Sequence, residues 1–264
     1  MSIITLTTDF GNQDHYVACM KGVILGINDA AVVVDLCHEV PPYDIKYAAM
    51  LLDAAYDYFP PGTIHIVVVD PGVGSSRKPL VVAGKKYFWV APDNGVLSLV
   101  LAREGQASVV EANNADYFLS GMSATFHGRD IFAPLAAWLS KGVDHRQMGP
   151  IVEGYSRMSF PEASLAEGKI QGEIIHVDRF GNLISNIGRN LWEQARVRWG
   201  SDFRLKIGQL EIRKLVNHYA QAGALGEICA LFGSSGRLEL AINQGKADKM
   251  LSLDMGQLLE ISFA

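Results

Sequence analysis

Residues 67–77 read VVVDPGVGSSR: a β-branched run, then a carboxylate, a proline, two glycines, two hydroxyls and a guanidinium. Three chemistries fit those residue types: a glycine loop that cradles phosphate, a serine nucleophile, or a polar turn that carries a carboxylate and a guanidinium into a pocket. A dinucleotide fingerprint needs Gly72 and Gly74 to open a helix whose amino terminus holds pyrophosphate, yet Lys-Pro-Leu-Val-Val-Ala follows Arg77 and reads as another strand. No GK[ST] follows the glycines, and the GxSxG frame that would set Ser75 or Ser76 on a strand-to-helix elbow is missing. The polar turn remains, with Asp70 at the carboxyl end of a buried strand and Arg77 across a glycine turn that can fold it back onto the carboxylate. Taken alone, Asp-Pro-Gly is also ordinary turn chemistry.

Two further segments bring polar groups to the same kind of position. In TTDFGNQDHY, Asp9 ends the first strand and Asp14 precedes the first helix, where it can serve as a ligand-facing carboxylate or as the helix cap. In SATFHGRDIF, His127 stands at the entry of a helical run through Ala133, Ala136, Ala137 and Leu139. A single histidine there is open to a structural role as much as a chemical one. Asp9, Asp14, His15 and Asp70 suit a hard cation by type, but no HxH or DxD pairing supports a metal, and none is expected. Cys19, Cys37 and Cys229 are odd in number and free of any CxxC, which argues against a disulfide framework or a zinc site.

The elements that must position these groups follow from periodicity. Ile3 to Thr7 reads as a strand, after which Val17, Met20, Ile24 and Ile27 recur at helical spacing. Val32-Val33-Val34, a Pro-Pro turn, a helical stretch near 44–57, a Pro-Pro-Gly stop and the strand Ile64 to Val69 extend the order to βαβαβ. Continuous apolar strands alternating with helices imply a largely parallel sheet buried on both faces, with ligands at the carboxyl ends of its strands. Around 150–170 the pattern lapses into prolines and glycines, which reads as an interdomain connection. Beyond it come short strand-like pieces, IIHVD, LISNI, FRLKI, LEIRKL, EICALF and LELAI, set apart by Gly, Asn and Ser. The expectation is an α/β domain over residues 1–160 that carries the chemistry, and a smaller all-β, barrel-like domain over 170–264.

Composition narrows the classes. The 264-residue chain is 49% apolar, enough for a sizeable core, and its formal charge of -5 is spread without basic runs, so nucleic acid is not expected as a partner. The opening MSIITLTTDF has neither the basic start nor the apolar run of a signal peptide, and no stretch approaches a membrane span; a cytoplasmic protein is expected.

TTDFGNQD (7–14), VDLCHEVPPYD (34–44), VVVDPGVGSSR, APDNGVLS (91–98), TFHGRDIFAP (125–134), VDRFGNLISNI (177–187) and GSSGRLELA (233–241) together resemble the successive motifs of the S-adenosyl-L-methionine hydroxide adenosyltransferases, relatives of the fluorinase and chlorinase. The resemblance implies an α/β domain followed by a β-barrel, a homotrimer with sites between subunits, and hydrolysis of S-adenosyl-L-methionine to adenosine and L-methionine by water, without a cofactor. By position, Asp70, Arg77 and His127 match the set that holds and activates the attacking water. Asp9 would chelate the ribose hydroxyls, Asp14 would lie toward the methionine end, and Tyr43 would form an aromatic wall near ribose and sulfonium. Asp178, Phe180 and Asn182 would meet the methionine and adenine ends, with Ser234, Glu239 and Ile242 completing the pocket. Ser235 stands where halogenating relatives carry an arginine. Those relatives also have a threonine-rich stretch in place of VVVDPGVGSSR and lack the histidine of TFHGRD, so the resemblance favours the hydrolase over halogenase-type substitution. A non-catalytic sensor of the same ligand would keep Asp9, Phe180 and Asn182 but has no need of Asp70 together with His127.

Overall fold

The computed structural model describes residues 2–263, and the chain divides into two compact units between Ser159 and Phe160. The first unit runs β1 (Ile3–Thr8), α1 (Tyr16–Ile27), β2 (Val32–Cys37), α2 (Ile45–Ala55), β3 (Ile64–Val68), β4 (Pro79–Ala83), β5 (Phe88–Pro92), α3 (Ser98–Glu104), β6 (Ser108–Glu111) and α4 (Ala133–Ser140). Its six-stranded sheet has the order β2-β1-β3-β5-β4-β6. The β1-β2, β1-β3 and β3-β5 pairs are parallel, while β4 pairs antiparallel with both β5 and β6. The βαβ crossovers require helices over the sheet, which explains why its strands read as unbroken apolar runs. Ile4, Leu6, Ile64, Ile66 and Val68 cluster with Met20 and Ile24 of α1 and with Leu135 and Ala136 of α4. Along β1 and β3 the intervening side chains, Thr5 and His65, point to the other face because successive strand residues alternate.

Thr5 and His65 are register partners, and the Thr5 hydroxyl lies 2.8 Å from His65 Nδ1. The imidazole is fully buried among the rings of Tyr56, Phe59, Tyr87 and Trp89, and that burial lowers its pKa from 6.5 to about 4. The unfolded chain therefore binds the extra proton first, so stability is full above pH 6.5 and falls as the pH drops toward about 4. The whole step is worth roughly 3 kcal/mol. Equilibrium urea unfolding at pH 7 and at pH 4.5 checks it: a His65→Gln variant should show a smaller loss between the two pH values than the parent chain does.

The second unit contains β7 (Ser164–Ala166), β8 (Lys169–Val177), β9 (Leu183–Gly188), α5 (Arg189–Trp199), β10 (Phe203–Ile207), β11 (Leu210–Ile212), β12 (Ile228–Phe232), β13 (Arg237–Ile242), α6 (Ala247–Leu251) and β14 (Leu258–Phe263). Its strands pair antiparallel in the order β11-β10-β14-β8-β9-β13-β12, with β7 beside β8. A bridge from Leu215, just after β11, to Ala230 of β12 brings the two ends of this path together and makes the sheet nearly a barrel. The unit is all-β in its sheet, but the charged segment RNLWEQARVRW, outside the strand-like pieces read from sequence, forms α5 and buries Trp192 and Ala195 on one side. Two apolar residues three apart make a narrow stripe, and packing against the sheet rather than amphipathic pattern sustains this helix. Among the described residues no helix is long and apolar enough to cross a membrane.

Candidate active site

β3 delivers Asp70 two residues beyond its end, and the side-chain amide of Asn94 holds that end by donating to the Val69 carbonyl at 2.8 Å. The chain then folds through two tight turns, with Val73 N–H donating to the Asp70 carbonyl at 3.2 Å and Ser75 N–H to the Gly72 carbonyl at 3.1 Å. The Ser75 hydroxyl is spent inside this loop: it donates to the Gly72 carbonyl at 2.6 Å and accepts from the Arg77 N–H at 3.2 Å. A nucleophilic serine and a phosphate cradle both give way to the polar turn. Gly74 has φ +76°, and a Cβ there would stand 2.5 Å from the Ala124 carbonyl oxygen. Only glycine permits that approach, which lays the loop against the segment leading to His127.

Arg77 joins the other two groups. Its Nε donates to Asp70 Oδ2 at 2.8 Å, and Nη2 lies 2.5 Å from the same oxygen and 2.7 Å from His127 Nδ1. The guanidinium also lies over the Phe132 ring, 5.1 Å from its centroid. The Asp70 and Arg77 side chains are only 5% and 9% exposed, so the pair is a buried one. A guanidinium has no acceptor, so His127 Nδ1 must accept, and the proton of the neutral ring sits on Nε2. Burial, and then the Arg77 charge, lowers the His127 pKa, which keeps the ring neutral at pH 7. Asp70 Oδ1 is buried and has no hydrogen-bond partner among the described residues. The result is one unused carboxylate oxygen and one imidazole N–H, both referenced to a single guanidinium.

His127 opens a π-helical turn, Gly128–Phe132, ahead of α4. Asp130, fully buried, anchors that turn: it pairs with Arg129 at 2.6 Å and accepts from the Ser123 N–H at 2.7 Å. Asn94 and Asp130 were not singled out from sequence, although both lie within motifs, APDNGVLS and TFHGRDIFAP, whose polar residues are the available signal.

Asp9 follows β1, and its Oδ2 accepts from the Tyr43 N–H at 2.9 Å. Tyr43 is 70% exposed with φ +68°, an uncommon backbone for a tyrosine that this bond helps to hold. Phe10, next to Asp9, packs edge-on against Phe126, next to His127, with centroids 5.9 Å apart, so the two polar loops share an aromatic floor. Asp14 is exposed and does not cap α1; the cap position is His15, which makes no side-chain cap bond. Among the described residues no group of three or more His, Cys, Asp or Glu side chains is placed to hold a metal ion.

In the second unit, Asp178, Phe180 and Asn182 form one turn between β8 and β9. Asp178 Oδ1 accepts from the Phe180 and Asn182 N–H groups at 2.8 and 2.9 Å, and Oδ2 accepts from the Asn182 side chain at 2.9 Å. This leaves Phe180 73% exposed at the tip, while Asn182 is buried. Glu239 of β13 is also buried and accepts from the Tyr219 hydroxyl at 2.6 Å. Burial, opposed by that bond and reinforced by the Asp178 charge, pushes the Glu239 carboxyl up. Its other oxygen leaves room only for glycine at 233, where a Cβ would approach it to 2.4 Å. Ser234 and Ser235 are exposed in the turn that follows, and Ile242 is packed in the core at the end of β13.

A two-unit chain whose parallel sheet presents an Asp-Arg-His set at its strand ends matches the SAM hydroxide adenosyltransferase N-terminal domain over residues 4–149 and the C-terminal domain over residues 172–260. The protein belongs to the SAM hydroxide adenosyltransferase family. It is similar to the (R)-S-adenosyl-L-methionine hydrolase of Methanocaldococcus jannaschii, at 34% identity over 100% of this chain and 97% of the relative. The crystal structure of an uncharacterized conserved protein from Thermotoga maritima superposes with a TM-score of 0.91 at 37% identity, covering 99% of this chain and 100% of that one. A fluorinase from Actinopolyspora mzabensis is more distant, at 26% identity over 98% of this chain and 97% of its own.

Proposed function

We propose that this protein is an enzyme that hydrolyses S-adenosyl-L-methionine to adenosine and L-methionine, by attack of water at C5′. The observation that carries the reading is the Arg77 bridge, which leaves Asp70 Oδ1 as a buried acceptor and His127 Nε2–H as a donor. The leaving group is a neutral thioether and needs neither protonation nor a Lewis acid, so the chemistry requires no metal. As the C–O bond forms and the C–S bond breaks, positive charge moves from sulfur to the incoming oxygen. A protonated alcohol is so acidic that a carboxylate suffices to take the proton. Asp70 is assigned that role. His127 cannot take the proton at Nδ1 while Arg77 donates there, and is assigned to orient the water through Nε2–H. A desolvated pocket would favour this attack, because the reacting groups lose charge separation as Asp70 is neutralised.

Asp9 is assigned to the ribose hydroxyls: a carboxylate offers about four acceptor sites, and Tyr43 N–H uses one. Tyr43 and Phe180 are assigned as exposed aromatic walls for sulfonium and adenine, with a cation-π contribution at the sulfonium. Asp14 is assigned to the methionine end, with Asp178 and Asn182 at the methionine and adenine ends and Ser234, Glu239 and Ile242 completing the pocket. The working state is taken to be a cytoplasmic homotrimer in which each site joins the first unit of one subunit to the second unit of the next.

Incubation with S-adenosyl-L-methionine in ¹⁸O-water containing a chelator is expected to yield equal amounts of adenosine and methionine, with the label in the 5′-hydroxyl. Substrate that binds and returns unchanged would indicate a sensor, product only with added halide a halogenase, and activity restored only by one divalent ion a metal enzyme.

Assembly is tested by complementation. Chains carrying Asp9→Ala and Asn182→Ala damage opposite walls of the proposed site. A head-to-tail ring assembled at random from equal amounts of both should regain about a quarter of its sites. Activity in co-purified mixed trimers no higher than the mean of the two mutants would place the site within one chain.

A further inference from the structure

The second unit contains a cavity of about 360 Å³ bounded by α5, the turn before β10, the chain after β11 and the end of β12. Its lining includes Arg189, Arg196, Arg213 and Lys214 and not one carboxylate, in a chain whose formal charge is -5. It shares no residue with the candidate active site. Arg196 is steadied by Glu193 at 2.9 Å and Arg213 by Glu211 at 2.7 Å, the latter carboxylate being shared with Arg204 at 3.2 Å. Arg189 lies over the Phe232 ring, 4.6 Å from its centroid, and neither it nor Lys214 has a carboxylate partner among the described residues. Four lining cations set against Glu193 and Glu211 leave two positive charges unbalanced. Gathering like charges around a concave surface costs electrostatic energy that a bound anion relieves, and low-dielectric walls focus the field on it.

We propose that this cavity binds a small dianionic ligand of the phosphate-monoester class. The Arg189 guanidinium matches phosphoryl oxygens, Arg213, whose Nε and Nη2 are turned to Glu211, adds positive charge, Lys214 supplies a mobile point charge, and the Ser201 hydroxyl and Asn217 amide add neutral donors from the rim. Trp192 and Phe232 provide an apolar wall for the organic part, and a volume of about 360 Å³ leaves room for one beyond the phosphoryl group. The walls belong to a packed core: Trp192 meets Phe203 edge-on at 4.8 Å and Phe232 at 6.1 Å, so the cations are presented by a rigid frame.

The test is isothermal titration of the full chain with ribose 5-phosphate and, separately, with inorganic phosphate. Ribose 5-phosphate is expected to bind once per chain with a Kd below about 1 mM at low salt, and more weakly as salt is raised. The Arg189→Ala/Lys214→Ala double variant should lose at least about tenfold in affinity while turning over S-adenosyl-L-methionine at the parental rate, which certifies its fold. Tighter binding of ribose 5-phosphate than of inorganic phosphate identifies an organic monoester, and equal binding by both overturns the monoester assignment. If the double variant misfolds, Lys214→Glu at its exposed position serves instead, with the same expected loss. No saturable binding of either probe up to about 10 mM, or equal binding by parent and variant, overturns the proposal.

Discussion

Asp70→Asn is expected to lower kcat at least about 100-fold, the lower range for loss of a positioned acid or base, with KM for S-adenosyl-L-methionine changed much less. The substitution preserves shape and leaves an oxygen for Arg77, but it removes the carboxylate whose Oδ1 is unpartnered among the described residues. His127→Ala should cost less, because the imidazole orients the water and does not receive its proton. Steady-state kinetics of the two variants separate the roles. Asp70→Asn with near-parental kcat would remove Asp70 from the chemistry, and a larger loss in His127→Ala than in Asp70→Asn would reverse the assignment.

Arg77→Met should have the second large effect, and on two properties together. Methionine keeps much of the aliphatic stem but removes the guanidinium that touches both Asp70 and His127. Breaking a buried pair from one side leaves an uncompensated charge and typically costs about 3–5 kcal/mol; with Asp70 only 5% exposed, there is little solvent to screen it. Turnover should fall at least about 100-fold, since misplacement on the order of 1 Å is enough to do so. A further readout distinguishes loss of positioning from loss of fold. The His127 pKa is lowered by burial and by the Arg77 charge, so removing that charge should raise it. In the parent enzyme the acid limb of activity should lie below pH 6.5, and in the variant it should move up. An NMR titration of the His127 ring that does not move on Arg77→Met would refute the electrostatic link.

The family and the two-part architecture were legible in the residues themselves, as were the polar residue types from which a site could be built. Apolar runs alternating with helical spacing specify a buried parallel sheet, because a strand covered on both faces has no polar side to display. Pro79 after Arg77 excluded a helix behind the glycine loop, and β4 lies there. These are local properties, set by backbone stereochemistry and hydrophobic period. What lay beyond the sequence was every relation between segments distant along the chain. That one guanidinium holds Asp70 and His127, 50 residues from Arg77, depends on Gly74 approaching Ala124 and on Phe10 meeting Phe126. Asp14 had a cap's sequence context, yet the backbone places His15 at the cap position, a choice made by how α1 docks rather than by propensity. The helix α5 carries too narrow an apolar stripe to announce itself, and the four cations that surround its cavity come from separate stretches whose charges appear evenly spread in the linear chain. Contact and desolvation act through space, so only the tertiary structure decides which side chains share a dielectric, which carboxylate oxygen is left without a partner, and where like charges are forced together.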